Sequence, residues 1–449
     1  MKKTTDLVNG SPFKLIFVFT LPIICNYILQ QIYSLADSAI VAMTLGDNAV
    51  TGVNLTGSLN FLILGFASGC TAGFGVLMAQ YVGSKNEEKM RRSLFTSLCL
   101  TTGIALILTL FTLLFSREIL IFLETDELYL AYADSYISAI FSGIICTMLY
   151  NMSAQFLFAM GDSRTPLLIL AISAVINVGL NSLLFIVDLG VAWAGWATII
   201  SQGIAAVVGY IVLFKKFPQL KLKKADCSFS LRFMGRHLGM GIPMAFQFSI
   251  TAIGCMMQQR AINLFPPEYA MGQTAGGRVV GIANGGIINA FGAAMATYAG
   301  QNYGAKRLDR LKLGTKHGLL VGTILTAIAT AVVYLIFPVF IKVLLPDATA
   351  AVKEYAFTYV KITSCGFIFL MLIHMFRNMV QGIGKSVTST FGGVIELFSR
   401  LVCSYTISRI SFELACFCEP ITWCLTGVFF AIVWAVNLKV LEKKQGIDF

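Results

Sequence analysis

Asp37 is the first residue from which chemistry can be read. It stands in Q-Q-I-Y-S-L-A-D-S-A-I-V-A, a run with no other charged side chain. Gln30, Tyr33 and Asp37 follow one another at intervals of three and four, with Asn26 one turn before, so the four fall on one helical face. A carboxylate beside a hydroxyl and amides can take up a proton or help to coordinate a sodium ion; the plainer alternative is an interhelical hydrogen-bond clasp. Asn177 and Asn181, four apart in V-I-N-V-G-L-N-S, could face it. Their amides can ligate a cation, bond a carboxyl or act as packing contacts. Glu396 and Arg400, in E-L-F-S-R, are spaced for a direct ion pair, which favours a structural role over substrate binding or gating. Arg278 lacks an obvious local partner and is a candidate for a wet cavity. Gln155, Gln247, Gln259, Asn378 and Gln381 are candidates for a polar lining. Asp134 is expected at an interface and Asp188 in a loop.

Other familiar chemistries find no footing. Most of the 11 cysteines sit singly in apolar runs and read as small packing residues. Cys416 and Cys418 form a C-x-C without a second pair, a weak metal signal. His237 and His317 are expected in loops, and His374 stands alone in an apolar stretch. Gly69/Gly73 and Gly272/Gly276 read as small-xxx-small contacts between helices, and no glycine-rich loop leads into the Lys-Ser/Thr of a phosphate site. Neither an enzyme nor a resident metal or cofactor is expected.

The elements that position these residues follow from composition. Of 449 residues 57% are apolar and 12% charged, against about 25% charged in a soluble domain. A membrane helix needs about 20 mostly apolar residues. Twelve such stretches run near 13–42, 54–82, 93–116, 128–158, 165–187, 190–214, 237–264, 273–303, 314–344, 354–382, 387–409 and 420–440. They show no period-two alternation, which excludes strands. The first is too long and too often interrupted by polar residues for a cleaved signal. The net charge of +11 would suit nucleic acid, but its placement argues for lipid. Alternate loops carry Lys2, Lys3 and Lys14, then Lys85, Lys89, Arg91 and Arg92, then Arg164. Lys215 to Arg236, Lys306 to Lys316, Lys385, Lys439, Lys443 and Lys444 complete that side. The other side holds Arg117, Lys342, Lys353 and Arg409 beside acids such as Glu124, Asp126, Glu127 and Glu268. Positive residues mark the cytoplasmic side. A multi-pass protein of a bacterial cytoplasmic membrane, with both termini cytoplasmic, is expected.

The chain also repeats itself. At an offset of 221, Pro22 matches Pro243, Gln80 matches Gln301, Gly83 matches Gly304 and Lys85 matches Lys306; later A-M-G-D-S (159–163) matches G-I-G-K-S (382–386) at 223. The expected organisation is a lobe at 1–214, a basic linker at 215–236 and a lobe at 237–449. This makes an all-α polytopic membrane protein of 12 transmembrane helices in two pseudo-symmetric six-helix bundles. Parallel repeats of this kind are a transporter design. The partner of Asp37 is Gln258 and that of Tyr33 is Gly254, while Arg400 falls at the position of Asn177. Coupling chemistry is therefore expected in the first half.

Several segments carry a family resemblance. They are L-P-I-I-C-N-Y-I-L-Q-Q-I-Y-S-L-A-D in the first span, A-Q-Y-V-G-S-K-N after the second, and G-D-S-R-T-P (161–166). The second half adds A-G-Q-N-Y-G-A-K-R (299–307) and C-E-P-I-T-W (418–423). With these the chain resembles the multidrug and toxic compound extrusion (MATE) transporters over nearly its full length. The loop G-S-K-N-E-E-K-M-R-R lacks the G-x-x-x-D-R of major facilitator proteins. The resemblance implies export of organic, often cationic compounds in exchange for inward H⁺ or Na⁺. By position Asp37 corresponds to the family's N-lobe carboxylate, with Tyr33, Asn177 and Thr198 nearby and Asp37 and Asn177 as the place for a sodium ion. Two departures stand out: Asn181 occupies the place of a second acid, and the C-lobe glutamate of another branch aligns near Thr251. The expectation is a cation-coupled antiporter, leaning to H⁺, monomeric, with small organic substrates. The alternatives are a lipid-linked precursor flippase of the same superfamily and a non-transporting membrane scaffold.

Overall fold

In lipid no water satisfies the backbone, so apolar runs close their hydrogen bonds internally as helices. The computed structural model describes residues 5–122, 125–187, 189–344, 346 and 348–443, and all regular structure among them is helical. Lys2, Lys3, Glu124, Asp188 and Lys444 lie outside the described residues. The first half comprises α1 (Pro12–Leu45), α2 (Asp47–Leu55), α3 (Gly57–Gly83), α4 (Glu87–Phe122), α5 (Glu127–Ser142), α6 (Ile144–Ala159), α7 (Arg164–Asn181) and α8 (Ala192–Lys216). The second begins with α9 (Leu231–Ile262), α10 (Pro267–Gly281), a π-helical turn (Ile282–Ile288) and α11 (Asn289–Gly304). It continues with α12 (Leu308–Leu344), α13 (Ala350–Cys365), α14 (Phe367–Gly382), α15 (Ser386–Tyr405), α16 (Phe412–Cys416) and α17 (Cys418–Lys443).

Among the described residues, nine helices are long and apolar enough to cross a bilayer, and two bent pairs qualify jointly, α5 with α6 (51°) and α13 with α14 (49°). They coincide with eleven of the twelve expected stretches. The remaining one is α15, a 20-residue helix whose apolar character is diluted by Glu396, Arg400 and several small polar residues. The bends fall at Gly143 and Gly366, which the offset of 223 relates. A Cβ on Gly143 would lie 2.3 Å from Ile199 Cγ2, and one on Gly366 would lie 2.9 Å from Trp423 Cε3. Each bent span thus presses its break against the last long helix of its own half. Lys85 and Lys306, also repeat partners, share a left-handed backbone (φ 54° and 58°). The duplication is therefore structural as well as textual.

The chain forms two compact units. One comprises residues 29–249, the other 1–28 with 250–449. The cuts fall inside α1 and α9, after Ile28 and Ser249, positions themselves 221 apart. In each unit the segment leading into α1 or α9 therefore joins the opposite sequence half, and the shared motifs are its fasteners. Leu7 donates to Gln301 Oε1 (3.2 Å), while Asn302 donates to Leu7 O (3.1 Å) and Arg310 to Gly10 O (2.9 Å). In the other unit Tyr81 stacks on Phe233, Arg91 pairs with Asp226 at 2.8 Å, and Ser93 meets His237 at 2.9 Å. Asp162 of G-D-S-R-T-P holds Lys216 at 2.5 Å and accepts from Thr165.

One expectation changes. His237 and His317 are not loop residues: they lie on α9 and α12, because the helices start well before the apolar runs do. His237 is fully buried. Between the halves α8 extends through Lys216 and α9 begins at Leu231. Asp134 is half-buried and accepts from Ser116 at 3.2 Å. The small-residue contacts appear where expected: a Cβ on Gly69 or Gly73 would meet Ala245 Cα or Gly241 Cα at 2.6 Å.

Candidate functional site

Three helices of the 29–249 unit bring one polar cluster together. From α1 come Tyr33 and Asp37, one helical turn apart. From α7 come Asn177 and Asn181, again one turn apart and both fully buried. Thr198 comes from the first turns of α8. Asn181 donates through Nδ2 to Asp37 Oδ1 and, at 3.1 Å, to Asn177 Oδ1. Thr198 Oγ1 lies 3.2 Å from Asp37 Oδ2, so its hydroxyl can donate to the second carboxylate oxygen. Thr198 Oγ1 itself accepts from Tyr33 OH (3.3 Å) and Asn177 Nδ2 (3.2 Å). Thr198 is also 3.1 Å from Ala194 O, an alternative acceptor for its single proton.

The arrangement is a carboxylate with one donor on each oxygen and, among the described residues, no lysine, arginine or histidine paired with it. A half-buried anion without a counter-cation is costly, and a proton or a bound cation relieves that cost. Asn181 Oδ1 is buried without a hydrogen-bond partner among the described residues. Protonation of Asp37 would reverse one bond: the new O–H donates to Thr198 Oγ1, and Thr198 turns its own proton to Ala194 O. The Thr198 oxygen then faces three donors with two lone pairs, so Tyr33 or Asn177 must let go. The charge state of Asp37 is thereby tied to how α1 is held against α7 and α8.

All five expected coupling residues, Asp37, Tyr33, Asn177, Asn181 and Thr198, meet here. Sequence reasoning missed two neighbours, Ser201 one turn along α8 and Tyr136 on α5, both of which interact with Tyr33. Ser201 repeats Thr198 at i+3, a signal that could have been read. Tyr136 had none, because only folding brings α5 alongside α1. The expected cavity residues disperse. Asn26 shares the helical face of Asp37 but belongs to the part of α1 that packs with the other unit, where its Nδ2 is buried without a hydrogen-bond partner among the described residues. Gln30 is exposed and Gln155 half-buried, whereas Gln247 and Gln381 are buried.

Glu396 and Arg400 are brought together as expected, at 3.3 Å, but within a larger cluster of the other unit. Arg400 also donates to Glu419 at 3.0 Å, and Arg377 approaches Glu396 at 3.8 Å. Thr251, the place of the missing C-lobe glutamate, donates to Glu396 at 3.3 Å. Arg278 is exposed on α10 and lines a cavity of about 350 Å³ with Gln259, Asn263 and Thr274. Among the described residues no three His, Cys, Asp or Glu side chains gather as a metal site.

Comparisons with known proteins agree on one kind of relative. The MatE family model matches residues 22–183 and 243–406, one stretch in each repeat. The chain is 27% identical over 325 residues to the Bacillus subtilis protein named "Probable multidrug resistance protein YoeA", covering 71% of this chain and 70% of that one. An outward-facing MATE family transporter of the MOP superfamily superposes with a TM-score of 0.90 at 18% identity, over 99% of both chains. A MATE crystal structure in complex with MaL6 gives 0.89 at 18% identity, over 99% of this chain and 100% of that one.

Proposed function

The chain belongs to the MatE family of membrane transporters, and from that footing we propose that it is a multidrug efflux antiporter coupled through Asp37. Its substrates are small organic compounds, cationic ones foremost, exported by alternating access in exchange for an inward-moving ion. The observation that carries the reading is the lone carboxylate of Asp37, held by Asn181 and Thr198 without a counter-cation among the described residues. Such a group binds a positive charge, gives it up, and changes its hydrogen bonds as it does so. A curated relative named as a probable multidrug resistance protein supports the substrate class.

The proton is the ion that suits these residues better. A carboxylate can be neutralised by one proton without further ligands, whereas a sodium site of high affinity favours a second acid, and the neighbouring position is Asn181. Thr198 and Ala194 O supply the place to which a displaced hydroxyl proton turns. Neutralising Asp37 frees either Tyr33 of α1 or Asn177 of α7 from Thr198, and restoring its charge draws that donor back; this is the coupling step. The placement of basic residues supports cytoplasmic termini.

The test is transport by the purified chain in proteoliposomes, with a proton gradient and a sodium gradient imposed separately. Uptake of a cationic dye driven by the proton gradient is expected. Uptake driven by sodium alone would overturn the choice of ion, and uptake driven by neither would overturn the antiporter.

A further inference from the structure

The cluster around Asp37 has a counterpart in the second half, and the repeat names its residues. The offset of 221 takes Tyr33 to Gly254 and Asp37 to Gln258; that of 223 takes Asn177 to Arg400 and Asn181 to Ser404. In the last span of each half the offset is 224, set by Gly203 with Gly427, Lys215 with Lys439 and the packed pair Ile199 with Trp423. It takes Thr198 to Thr422. All five counterparts lie in the unit that contains 250–449, and all are buried. The carboxylate has become an amide and one amide has become a guanidinium.

The space is accounted for as well. A Cβ built on Gly254 would lie 3.3 Å from Arg400 Cδ and 3.5 Å from its Nη1. The arginine thus fills the volume that the first half gives to a tyrosine side chain. Its guanidinium meets Glu396 at 3.3 Å and Glu419 at 3.0 Å. Arg377, at 3.8 Å from Glu396, turns its other nitrogen towards His374 Nδ1 at 3.4 Å. Two guanidiniums and two carboxylates balance. By contrast Ser404 Oγ, Thr422 Oγ1 and Arg400 Nε are buried with no hydrogen-bond partner among the described residues. The hydroxyls that stand where Asn181 and Thr198 stand are not recruited to the charge.

We propose that Glu396 and Glu419 form a cation site in the second half, the counterpart of the Asp37 site, and that Arg400 is its tethered occupant. Two carboxylates sharing one apolar surrounding need a cation between them. A guanidinium suits because it is weakly hydrated and offers two N–H groups in a fixed fork. Because the occupant is part of the chain, the site neither empties nor exchanges. Ion exchange is then left to the first half; that last step rests on the proposed function, the site itself does not. The free ligands of the vacated site are small cations with planar N–H donors, guanidinium first among them.

The experiment follows thermal unfolding of the purified full chain with guanidinium chloride as probe and tetramethylammonium chloride, which has no N–H donor, as control. Arg400→Ala is expected to lower the melting temperature, and millimolar guanidinium is expected to restore it saturably. The parent and Arg400→Ala/Glu419→Gln, which leaves Arg377 and Glu396 balanced, should not respond. No saturable gain in Arg400→Ala, or an equal gain in the parent or with tetramethylammonium, would overturn the proposal. If Arg400→Ala yields no folded protein, the double variant must recover folding, because it removes the uncompensated carboxylate; its failure to do so refutes the assignment. Asp37→Asn should leave the guanidinium response of Arg400→Ala intact, so a failure of coupling at Asp37 is told apart from a failure here.

Discussion

Asp37→Asn separates a coupling residue from a clasp, and its cost can be worked from the bonds present. The amide oxygen of the new side chain can still accept from Asn181, as Asp37 Oδ1 does now. Its NH₂ then faces Thr198, which can receive it by turning its own proton to Ala194 O at 3.1 Å. Thr198 already accepts from Tyr33 and Asn177, so one donor of three is left without a lone pair. The loss is one hydrogen bond in a half-buried place, about 1 kcal/mol. Folding and membrane insertion should survive, with a small fall in melting temperature. Coupled transport should not, because an amide neither takes up a proton at working pH nor offers an anion to a cation. The assay is gradient-driven dye uptake into proteoliposomes, beside melting of the same preparation. A coupled rate above about a tenth of the parent's would mean a barrier raised by less than about 1.4 kcal/mol. That is too little for the group that carries the ion, and would refute the reasoning. Loss of folding with a cost well beyond one hydrogen bond would instead make the cluster a clasp.

Three further outcomes are expected. Asn181→Asp sets two carboxylates side by side, which cannot both stay charged without a cation between them. Sodium chloride should then stabilise the variant over equal potassium chloride by about 1.4 kcal/mol, a tenfold gain in affinity, and the parent little; equal responses would count against the geometry. Gly143→Ala places a Cβ 2.3 Å from Ile199 and should destabilise by about 1–3 kcal/mol through overpacking, with Ile199→Val restoring part of it in a melting series. Asp226 lies outside the spans. Burial pulls its carboxyl up, but the Lys223 N–H and the Arg91 guanidinium outweigh it and hold it below the ordinary 3.8. A depressed carboxyl stabilises above its unfolded value and loses that contribution as pH falls through its folded one. Asp226→Asn should therefore cost about 1.5–3 kcal/mol at neutral pH and nothing in acid below the carboxylate range. A difference that persists at low pH would show another cause.

The motifs quoted for the family resemblance were legible as family marks but not as joints. Gln301, Asn302 and Asp162 fasten chain segments, and nothing in their spacing reveals the partners, Leu7 at 294 and 295 residues from the first two and Lys216 at 54 residues from Asp162. The pair Glu396–Arg400 was readable because a helix repeats every 3.6 residues. Glu419 and Arg377 were not, because each stands on a different helix. Asn26 shows the reverse: helical spacing placed it on the face of Asp37 correctly, yet α1 passes from one compact unit to the other between them.

What the sequence determined by itself is whatever local physics decides. Long apolar runs have one way to satisfy their backbone in lipid, so helices, their approximate positions and the membrane class follow from composition. Identity at offsets of 221 to 224 shows the duplication, and the unmatched Asp37 already marks an asymmetry between the halves. Tertiary structure alone decided which distant groups meet. Thr198 lies 161 residues from Asp37 and Asn181 lies 144, and Arg400 finds Glu419 over Gly254 on a third helix. These meetings depend on how helices pack and on which small residues let them approach, and no period within one segment encodes them.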